Sequence, residues 1–190
     1  MSEIELENTY LVKYLPNGLE GAPVEETLDI YFPLGVKHAT LRLRRRGEAM
    51  ELTKKVPVKG KDSSKMVEHT IELDRDEYEA LAQVPGKRLH KLRYLVKYAD
   101  RKAEVDVFLD QLAGLVMVDF EFKTRAEQHK FKLPDFCLHE VTQDAHLAGG
   151  MLCGKSFVDI EPRLAKYKYQ RLELPEFLVR QLAERKAGAA

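Results

Sequence analysis

The chain has no tryptophan, only two cysteines and no excess of either charge, with 31 basic and 31 acidic residues among 190. A formal net charge of zero excludes a global electrostatic attraction to nucleic acid or to an acidic membrane surface. The sequence also lacks an apolar run near the roughly 20 residues that span a bilayer. Its first residues do not have the basic and then apolar order of a secretory signal. We therefore expect a cytoplasmic globular protein without a membrane partner.

The two cysteines, Cys137 and Cys153, are not a CxxC pair. With His139 and His146 between them a zinc site can be drawn, but the spacing matches no common structural zinc pattern. Two reduced, partly buried thiols are the simpler interpretation.

Charge on every second residue is the main feature that the sequence does have. Acidic examples are Glu3-Ile4-Glu5-Leu6-Glu7, Glu104-Val105-Asp106 and Asp119-Phe120-Glu121, and basic examples are Arg42-Leu43-Arg44 and Lys91-Leu92-Arg93. Residues i and i+2 of a strand share one face. Each run therefore predicts a strand with one charged face and one apolar face.

About eight strands are predicted in a mainly β (α+β) domain that occupies residues 1–190. Their ranges are 4–13, 26–32, 39–46, 49–56, 66–73, 88–98, 102–109 and 115–122. A polar loop is expected at 59–64 and a turn at 99–101. Eight antiparallel strands are enough to close a barrel around a small ligand.

Short helices complete the predicted domain. One is expected after the acidic residues that follow Asp74, and another from about residue 142 to Gly149-Gly150. A final helix starts at Pro175-Glu176, with Leu178, Val179 and Leu182 on one face.

The charged strand faces can point to water or to an enclosed space. A charged face usually lies in water, but here same-face charge occurs on most of the predicted strands. If the sheet closes with its apolar faces outward under helices and loops, the charges line a polar interior. Buried charges in that number need mutual pairing, a metal ion or a charged ligand.

The residue types indicate which ligand such an interior would hold. Carboxylates without His or Cys on the same face favour hard cations such as Mg²⁺ or Mn²⁺. Arg and Lys in the same cavity donate hydrogen bonds to phosphate oxygens. A metal ion and cationic side chains around a polyphosphate promote phosphoryl transfer.

An ordered series of short segments resembles a known family. The segments are Glu5-Leu6-Glu7, Leu41-Arg42-Leu43-Arg44, Leu52-Thr53-Lys54-Lys55, Lys91-Leu92-Arg93-Tyr94, Glu104-Val105-Asp106-Val107-Phe108, Gly114-Leu115, Asp119-Phe120-Glu121-Phe122 and Glu140-Val141-Thr142-Gln143-Asp144. In this order they resemble the CYTH superfamily, also called triphosphate tunnel metalloenzymes, over residues 3 to about 157. Residues from about 158 to 190 are then a C-terminal helical extension.

The resemblance implies an eight-stranded antiparallel β-barrel tunnel that binds a triphosphate together with Mg²⁺ or Mn²⁺. Known members include inorganic triphosphatases, thiamine triphosphatases, class IV adenylyl cyclases and RNA triphosphatases. We therefore expect a metal-dependent phosphohydrolase, and inorganic tripolyphosphate is the small triphosphate that we expect as its substrate.

The resemblance also implies roles for individual residues. The metal ligands would be Glu5, Glu7, Asp119 and Glu121, together with Glu104 and Asp106. Glu68 and Glu72 would be further acidic residues of the tunnel. The phosphates would be held by Arg42, Arg44, Lys55, Lys91 and Arg93. Lys91 and Glu7 would be catalytic.

The chain departs from the family pattern at several positions. Thr9 stands where the N-terminal signature Glu-x-Glu-x-Lys has its lysine, and Thr70 lies where a further acid can occur. After Asp144, where the family commonly has Arg-Tyr and then Asn, this chain has His146, Leu147 and Gly149. Loss of the lysine removes a cation near the phosphates, which weakens the expectation of full activity, but it leaves the metal ligands in place.

Two alternatives to an enzyme follow from these features. Thr9 favours a catalytically weak binding protein for polyphosphate or a nucleotide triphosphate. A basic run favours a nucleic-acid binder, and it comprises Arg42, Arg44, Arg45, Arg46, Lys54, Lys55, Lys59 and Lys61. The acidic strands beside that run would repel a phosphate backbone in the absence of metal, so nucleic acid is the weaker expectation. A homodimer is considered as a further partner.

Overall fold

The computed structural model describes residues 2–58, 65–99 and 101–188, with the backbone alone for residues 2–5, 65 and 184–188. Nine strands form one sheet: β1 Ser2–Val12, β2 Val24–Phe32, β3 Leu41–Arg46, β4 Ala49–Pro57, β5 Lys65–Glu72, β6 Lys87–Tyr98, β7 Arg101–Phe108, β8 Val116–Glu121 and β9 Cys137–Glu140. The eight predicted strands are all present, with bounds that agree within two residues. The predicted loop at 59–64 and Asp100 of the predicted turn lie outside the described residues.

The strand order is β5-β4-β3-β2-β6-β7-β8-β1-β9, and every neighbouring pair is antiparallel. β1 pairs with β8 through residues 7–11 and with β5 through residues 2–6. β1 therefore pairs with both β8 and β5, which are the two ends of the series formed by the other seven long strands. The predicted mainly β, antiparallel class is confirmed. β9 is an additional ninth strand, and its four residues are too few to show an alternating pattern.

The alternation along the strands places apolar side chains outward and charged side chains inward. On β6, Leu92 and Tyr94 are buried in a core cluster outside the sheet, together with Leu178 of the C-terminal helix. Lys91 and Arg93, their neighbours on the same strand, line a central cavity. The helices and loops thus cover the apolar face, and the charged face is turned away from bulk water.

In the described part of the chain, five α-helices accompany the sheet: α1 Arg75–Ala82, α2 Arg125–Lys130, α3 Gly149–Leu152, α4 Phe157–Leu164 and α5 Glu176–Gly188. α1 begins as predicted, because Asp74 and Glu77 form a reciprocal capping box at its N-terminus. Among the described residues, no helix is long and apolar enough to cross a membrane.

The structure corrects two predictions about the helices. Gly149-Gly150 was expected to end a helix, but these glycines begin α3. A Cβ on Gly150 would lie 2.0 Å from the carbonyl oxygen of Ala39, so glycine is needed there for close packing. On α5, Leu178 is buried as expected, whereas Val179 is 55% exposed and lies off the buried face.

The C-terminal residues contribute to the core rather than only extending it. Phe157, Ile160 and Leu164 of α4 pack in a second buried cluster with residues from the ends of the strands. Tyr169 accepts a hydrogen bond from the amide of Val116 and donates one to a backbone carbonyl, so it ties this segment to β8. Both cysteines are buried free thiols, as expected.

Candidate active site

A cavity of about 430 Å³ lies on the charged face of the sheet. Its lining includes most of the predicted site residues: Glu7, Arg42, Arg44, Lys55, Glu68, Lys91, Arg93, Glu104, Asp106, Asp119 and Glu121. The side chain of Glu5 lies outside the described part of the chain. Glu72 is exposed at the end of β5 and is not among the described residues that line the cavity, although Glu51, directly opposite it on β4, does line it.

Strand register brings the predicted acids together. Glu7 on β1 lies opposite Glu121 on β8, and Thr9 lies opposite Asp119. Directly opposite residues of antiparallel strands have their Cβ atoms about 4.5–5.5 Å apart on the same face. Residues that are separated by more than a hundred positions in the chain therefore form one acidic wall.

The opposite charges meet on β6 and β7. Arg93 donates to both carboxylate oxygens of Asp106, at 2.7 and 2.6 Å, and to Asp119 at 3.0 Å, and it also contacts Glu104. Lys91 is bonded to Asp106 as well. Burial alone would raise the pKa of Asp106, but Arg93 and Lys91 outweigh burial and hold it well below its usual value. Glu104 and Asp106 thus act as partners of cations in this structure.

The acidic wall has partners of its own. Lys55 donates to Glu7 at 2.8 Å, and Thr9 donates its hydroxyl hydrogen to Asp119 at 2.7 Å. Burial and the nearby charge of Glu7 raise the pKa of Asp119 to about 6, and Arg93 opposes that rise. Carboxylates that crowd one another in this way provide the oxygen donors that a hard divalent cation prefers.

The phosphate-binding candidates on β3 have different surroundings. The guanidinium of Arg44 donates to both oxygens of Asp29, at 2.7 and 2.8 Å. Arg42 has Glu68 only at 3.8 Å, and its buried Nε has no hydrogen-bond partner in the part of the chain that is described. Arg42 is therefore the cation of this strand that is better placed to take a new anionic partner.

Asp29 is a cavity residue that the sequence analysis missed. It lies on β2 between the apolar residues Leu28 and Ile30, so charged and apolar residues do alternate there. A single charge of this kind is too weak a pattern to predict a site residue. Burial would raise the pKa of Asp29, but the charge and hydrogen bonds of Arg44 outweigh burial and lower it to about 2.

The lowered pKa of Asp29 predicts a pH-dependent stability. A carboxyl whose pKa is lower in the folded than in the unfolded chain stabilises the fold above pH 4 or so, and the effect is lost as the pH falls towards 2. We expect the free energy of unfolding of the unaltered protein to exceed that of Asp29→Asn at pH 6, and this difference to shrink by about 2 kcal/mol at pH 2. Urea denaturation at both pH values measures the two free energies of unfolding. A difference between them that does not change with pH would contradict an ionised pair of Asp29 and Arg44.

The CYTH domain matches residues 3–143. The chain belongs to the CYTH family. An inorganic triphosphatase from Nitrosomonas europaea is 30% identical to it over 143 residues, which are 74% of this chain and 90% of the relative. The predicted family resemblance is therefore confirmed.

Solved structures agree with the family assignment. The crystal structure of an inorganic triphosphatase superposes with a TM-score of 0.59 at 26% identity, over 80% of this chain and 95% of that one. A Bacillus halodurans protein superposes with a TM-score of 0.51 at 15% identity, over 94% of this chain and 97% of that one, which shows the shared fold alone.

The basic run of this CYTH protein is divided between the two faces of the sheet. Arg42 and Arg44 line the cavity, whereas Arg45 lies beside a separate surface cleft with Glu26 and Glu48. Lys59 and Lys61 lie outside the described residues. The described part of the run is therefore not one continuous basic patch of the kind that binds a nucleic-acid backbone.

Further lining residues come from the end of the family match. Thr142 accepts a hydrogen bond from the amide of Thr9 at 3.0 Å, which ties this segment to β1. Asp144 accepts from Arg163 at 2.5 Å and from the hydroxyl of Tyr167 at 2.8 Å. The segment 140–144 contributed to the family resemblance, but only the fold shows that Arg163 of α4 and Tyr167 after it hold Asp144 in place.

The donor set of the acidic wall fits a hard cation by its chemistry. Glu7, Asp119 and Glu121 offer carboxylate oxygens from neighbouring strands. Within the described residues, no three acidic, His or Cys side chains already stand in the arrangement of a metal site.

Proposed function

We propose that this CYTH protein hydrolyses inorganic tripolyphosphate in the central cavity, with Mg²⁺ or Mn²⁺ as cofactor. The observation that carries the proposal is the cavity itself, in which an acidic wall on β1 and β8 lies beside cationic side chains from β3, β4 and β6. The similarity to an inorganic triphosphatase supports this choice of substrate.

The cationic side chains would hold the phosphate groups. Arg42, Arg44, Lys55, Lys91 and Arg93 line the cavity, and arginine can donate to two phosphate oxygens at once. Most of them are already hydrogen-bonded to acids, which holds their charge in place before a ligand arrives. Preorganised donors of this kind stabilise charge that develops during phosphoryl transfer.

The acidic wall would hold the cation. Glu5, Glu7, Asp119 and Glu121 are the proposed ligands, while Glu104 and Asp106 serve chiefly to keep Arg93 and Lys91 in position. A bound divalent cation would neutralise charge on the phosphate oxygens.

Glu7 and Lys91 are the proposed catalytic residues. Glu7 is held by Lys55 at 2.8 Å, and its carboxylate would accept a hydrogen bond from the attacking water and orient it. Lys91 lies on the neighbouring wall beside Asp106, where its ammonium would stabilise the phosphoryl group as it is transferred.

Phosphate release from tripolyphosphate tests the proposal. The purified protein is assayed with Mg²⁺ or Mn²⁺, and tripolyphosphate is compared with ATP and pyrophosphate. We expect metal-dependent release with kcat/KM highest for tripolyphosphate. Equal or higher kcat/KM for ATP, or release that is unaffected by a chelator, would contradict the proposed substrate or the metal.

A catalytically weak binding protein for polyphosphate or a nucleotide triphosphate is the second candidate. The observation that favours it is Thr9, a neutral residue bonded to Asp119 where the family signature has a lysine. Saturable binding of tripolyphosphate without phosphate release would support this candidate. Salt-sensitive retention of RNA would instead support a nucleic-acid role. The cytoplasmic location and a homodimer stay predictions.

If the missing lysine limits catalysis, Thr9→Lys will raise the turnover of tripolyphosphate. A lysine there would share the inward face of β1 with Glu7 and place an ammonium near the developing charge. We expect an increase in kcat of about tenfold, or about 1.4 kcal/mol in the barrier. The length-matched neutral variant Thr9→Met is the control. A kcat that is flat or lower in Thr9→Lys, with unchanged metal affinity, would show that Lys55 beside Glu7 already supplies the needed charge.

A further inference from the structure

Asp29 places a negative charge inside a cavity that is proposed to hold a polyanion. It lines the cavity but is only 1% exposed, and no part of the proposed chemistry has used it so far. A carboxylate in such a place repels phosphate and loses hydration on burial. Its presence therefore calls for a compensating role in the site.

The geometry of the Asp29–Arg44 pair suggests that role. The two carboxylate oxygens accept from Nε and Nη2 of Arg44, which are the two nitrogens on one edge of the guanidinium. A guanidinium has five N–H donors in a rigid plane. Binding one edge to Asp29 fixes that plane, so the remaining donors of Arg44 are held in one orientation at the cavity that this residue lines.

The strand register explains why Asp29 can hold this arginine so firmly. Asp29 on β2 lies directly opposite Arg44 on β3, and both side chains are almost fully buried. Arg42, two residues away on β3, has no comparable partner, since Glu68 lies 3.8 Å from it. Of these two arginines, Arg44 is the one whose side-chain rotation is restricted before a ligand binds, which lowers the entropy lost on binding.

We propose that Asp29 is a positioning residue, which holds the guanidinium of Arg44 in the orientation that binds a phosphate group of the triphosphate. The proposal rests on the proposed function, because it concerns the same cavity and the same substrate. Asp29 acts through Arg44 and does not touch the substrate. Its effect on substrate binding therefore depends on the presence of Arg44.

A double-mutant cycle with Asp29→Asn and Arg44→Ala tests this dependence. Calorimetric affinity for tripolyphosphate with Mg²⁺ and kcat/KM for its hydrolysis are both measured. We expect Asp29→Asn alone to lower both by at least about tenfold, since a small displacement of a binding group can cost up to 10²-fold. In the Arg44→Ala background, Asp29→Asn should alter the affinity and kcat/KM by no more than about twofold.

Glu26→Gln is the matched control for the loss of charge. Glu26 lies on β2 as well, but it is bonded to His90 and does not line the cavity. Its replacement is expected to leave affinity and kcat/KM unchanged. Asp29→Glu is the second variant: it keeps the charge and a partner for Arg44 but displaces the carboxylate by one methylene. A positioning role predicts a folded Asp29→Glu protein with reduced affinity, whereas a merely structural role predicts normal affinity.

The outcomes separate this inference from the proposed function. If Asp29→Asn lowers affinity equally with and without Arg44, or Asp29→Glu binds normally, the positioning role is overturned. If the unaltered protein binds tripolyphosphate without hydrolysing it, the proposed function fails while the affinity cycle still tests Asp29. If the unaltered protein does not bind tripolyphosphate at all, both are overturned.

Discussion

Glu5→Gln combined with Glu7→Gln will abolish metal-dependent phosphate release from tripolyphosphate while the fold stays intact. Glutamine keeps the size of each side chain but removes the ligand charge that a divalent cation requires. Glu7 is also bonded to Lys55 and lies opposite Glu121, so its replacement changes the centre of the acidic wall. We expect kcat/KM to fall by at least about 10³-fold, the upper end of the loss caused by removing one stabilising group from an active site.

The measurement is phosphate release over a range of Mn²⁺ and Mg²⁺ concentrations, with circular dichroism and thermal unfolding as checks of the fold. The matched control is Glu20→Gln combined with Glu173→Gln, two exposed positions that do not line the cavity. If the Glu5/Glu7 variant keeps its activity, the proposed metal site is wrong. A loss of activity that a higher metal concentration fully restores would assign these residues to metal affinity alone.

Arg42→Ala will weaken the binding of tripolyphosphate far more than it lowers thermal stability. The buried Nε of Arg42 has no hydrogen-bond partner among the described residues, and the free protein loses the contact of Arg42 with Tyr31 and a long ion pair with Glu68 at 3.8 Å. Loss of one charge-assisted hydrogen bond to phosphate, about 1.5–3 kcal/mol, corresponds to a decrease in affinity of roughly 10- to 150-fold. The midpoint of thermal unfolding should fall by no more than a few degrees, and it can rise, because removing Arg42 reduces the repulsion between cationic side chains in the cavity.

Arg45→Ala is the control on the same strand, since Arg45 lies outside the cavity beside a separate surface cleft. Calorimetry with tripolyphosphate and Mg²⁺ gives the two affinities, and thermal unfolding without ligand gives the two stabilities. Equal affinities in Arg42→Ala and Arg45→Ala would place Arg42 outside the binding site. A large loss of stability without a loss of affinity would mean that Arg42 serves only to pair with Glu68.

Period-two alternation was enough to predict the strands and which side chains share a face, but it left open whether the charged faces point to water or to an enclosed space. Lys91-Leu92-Arg93 shows why: the pleat fixes which side chains share a face, and this depends only on the local backbone. The pattern fails for β9, which has four residues. The helix end expected at Gly149-Gly150 is also wrong, because Gly150 packs against Ala39 and Gly149 against Tyr31. Such packing depends on residues that are distant in the chain.

The charge of each cavity residue could be read from the sequence, but its partner could not. Glu104 and Asp106 are predicted metal ligands together with Asp119, and the contact of Arg93 with all three of them appears only in the fold. Asp29 carried a single isolated charge in the sequence, and its importance emerges only from its position opposite Arg44. Alternation is a property of one strand, whereas ion pairing depends on the register between two strands. For this reason the residue types of the site are local information, whereas the ion pairs on which the proposed roles of these residues rest are set by the tertiary structure.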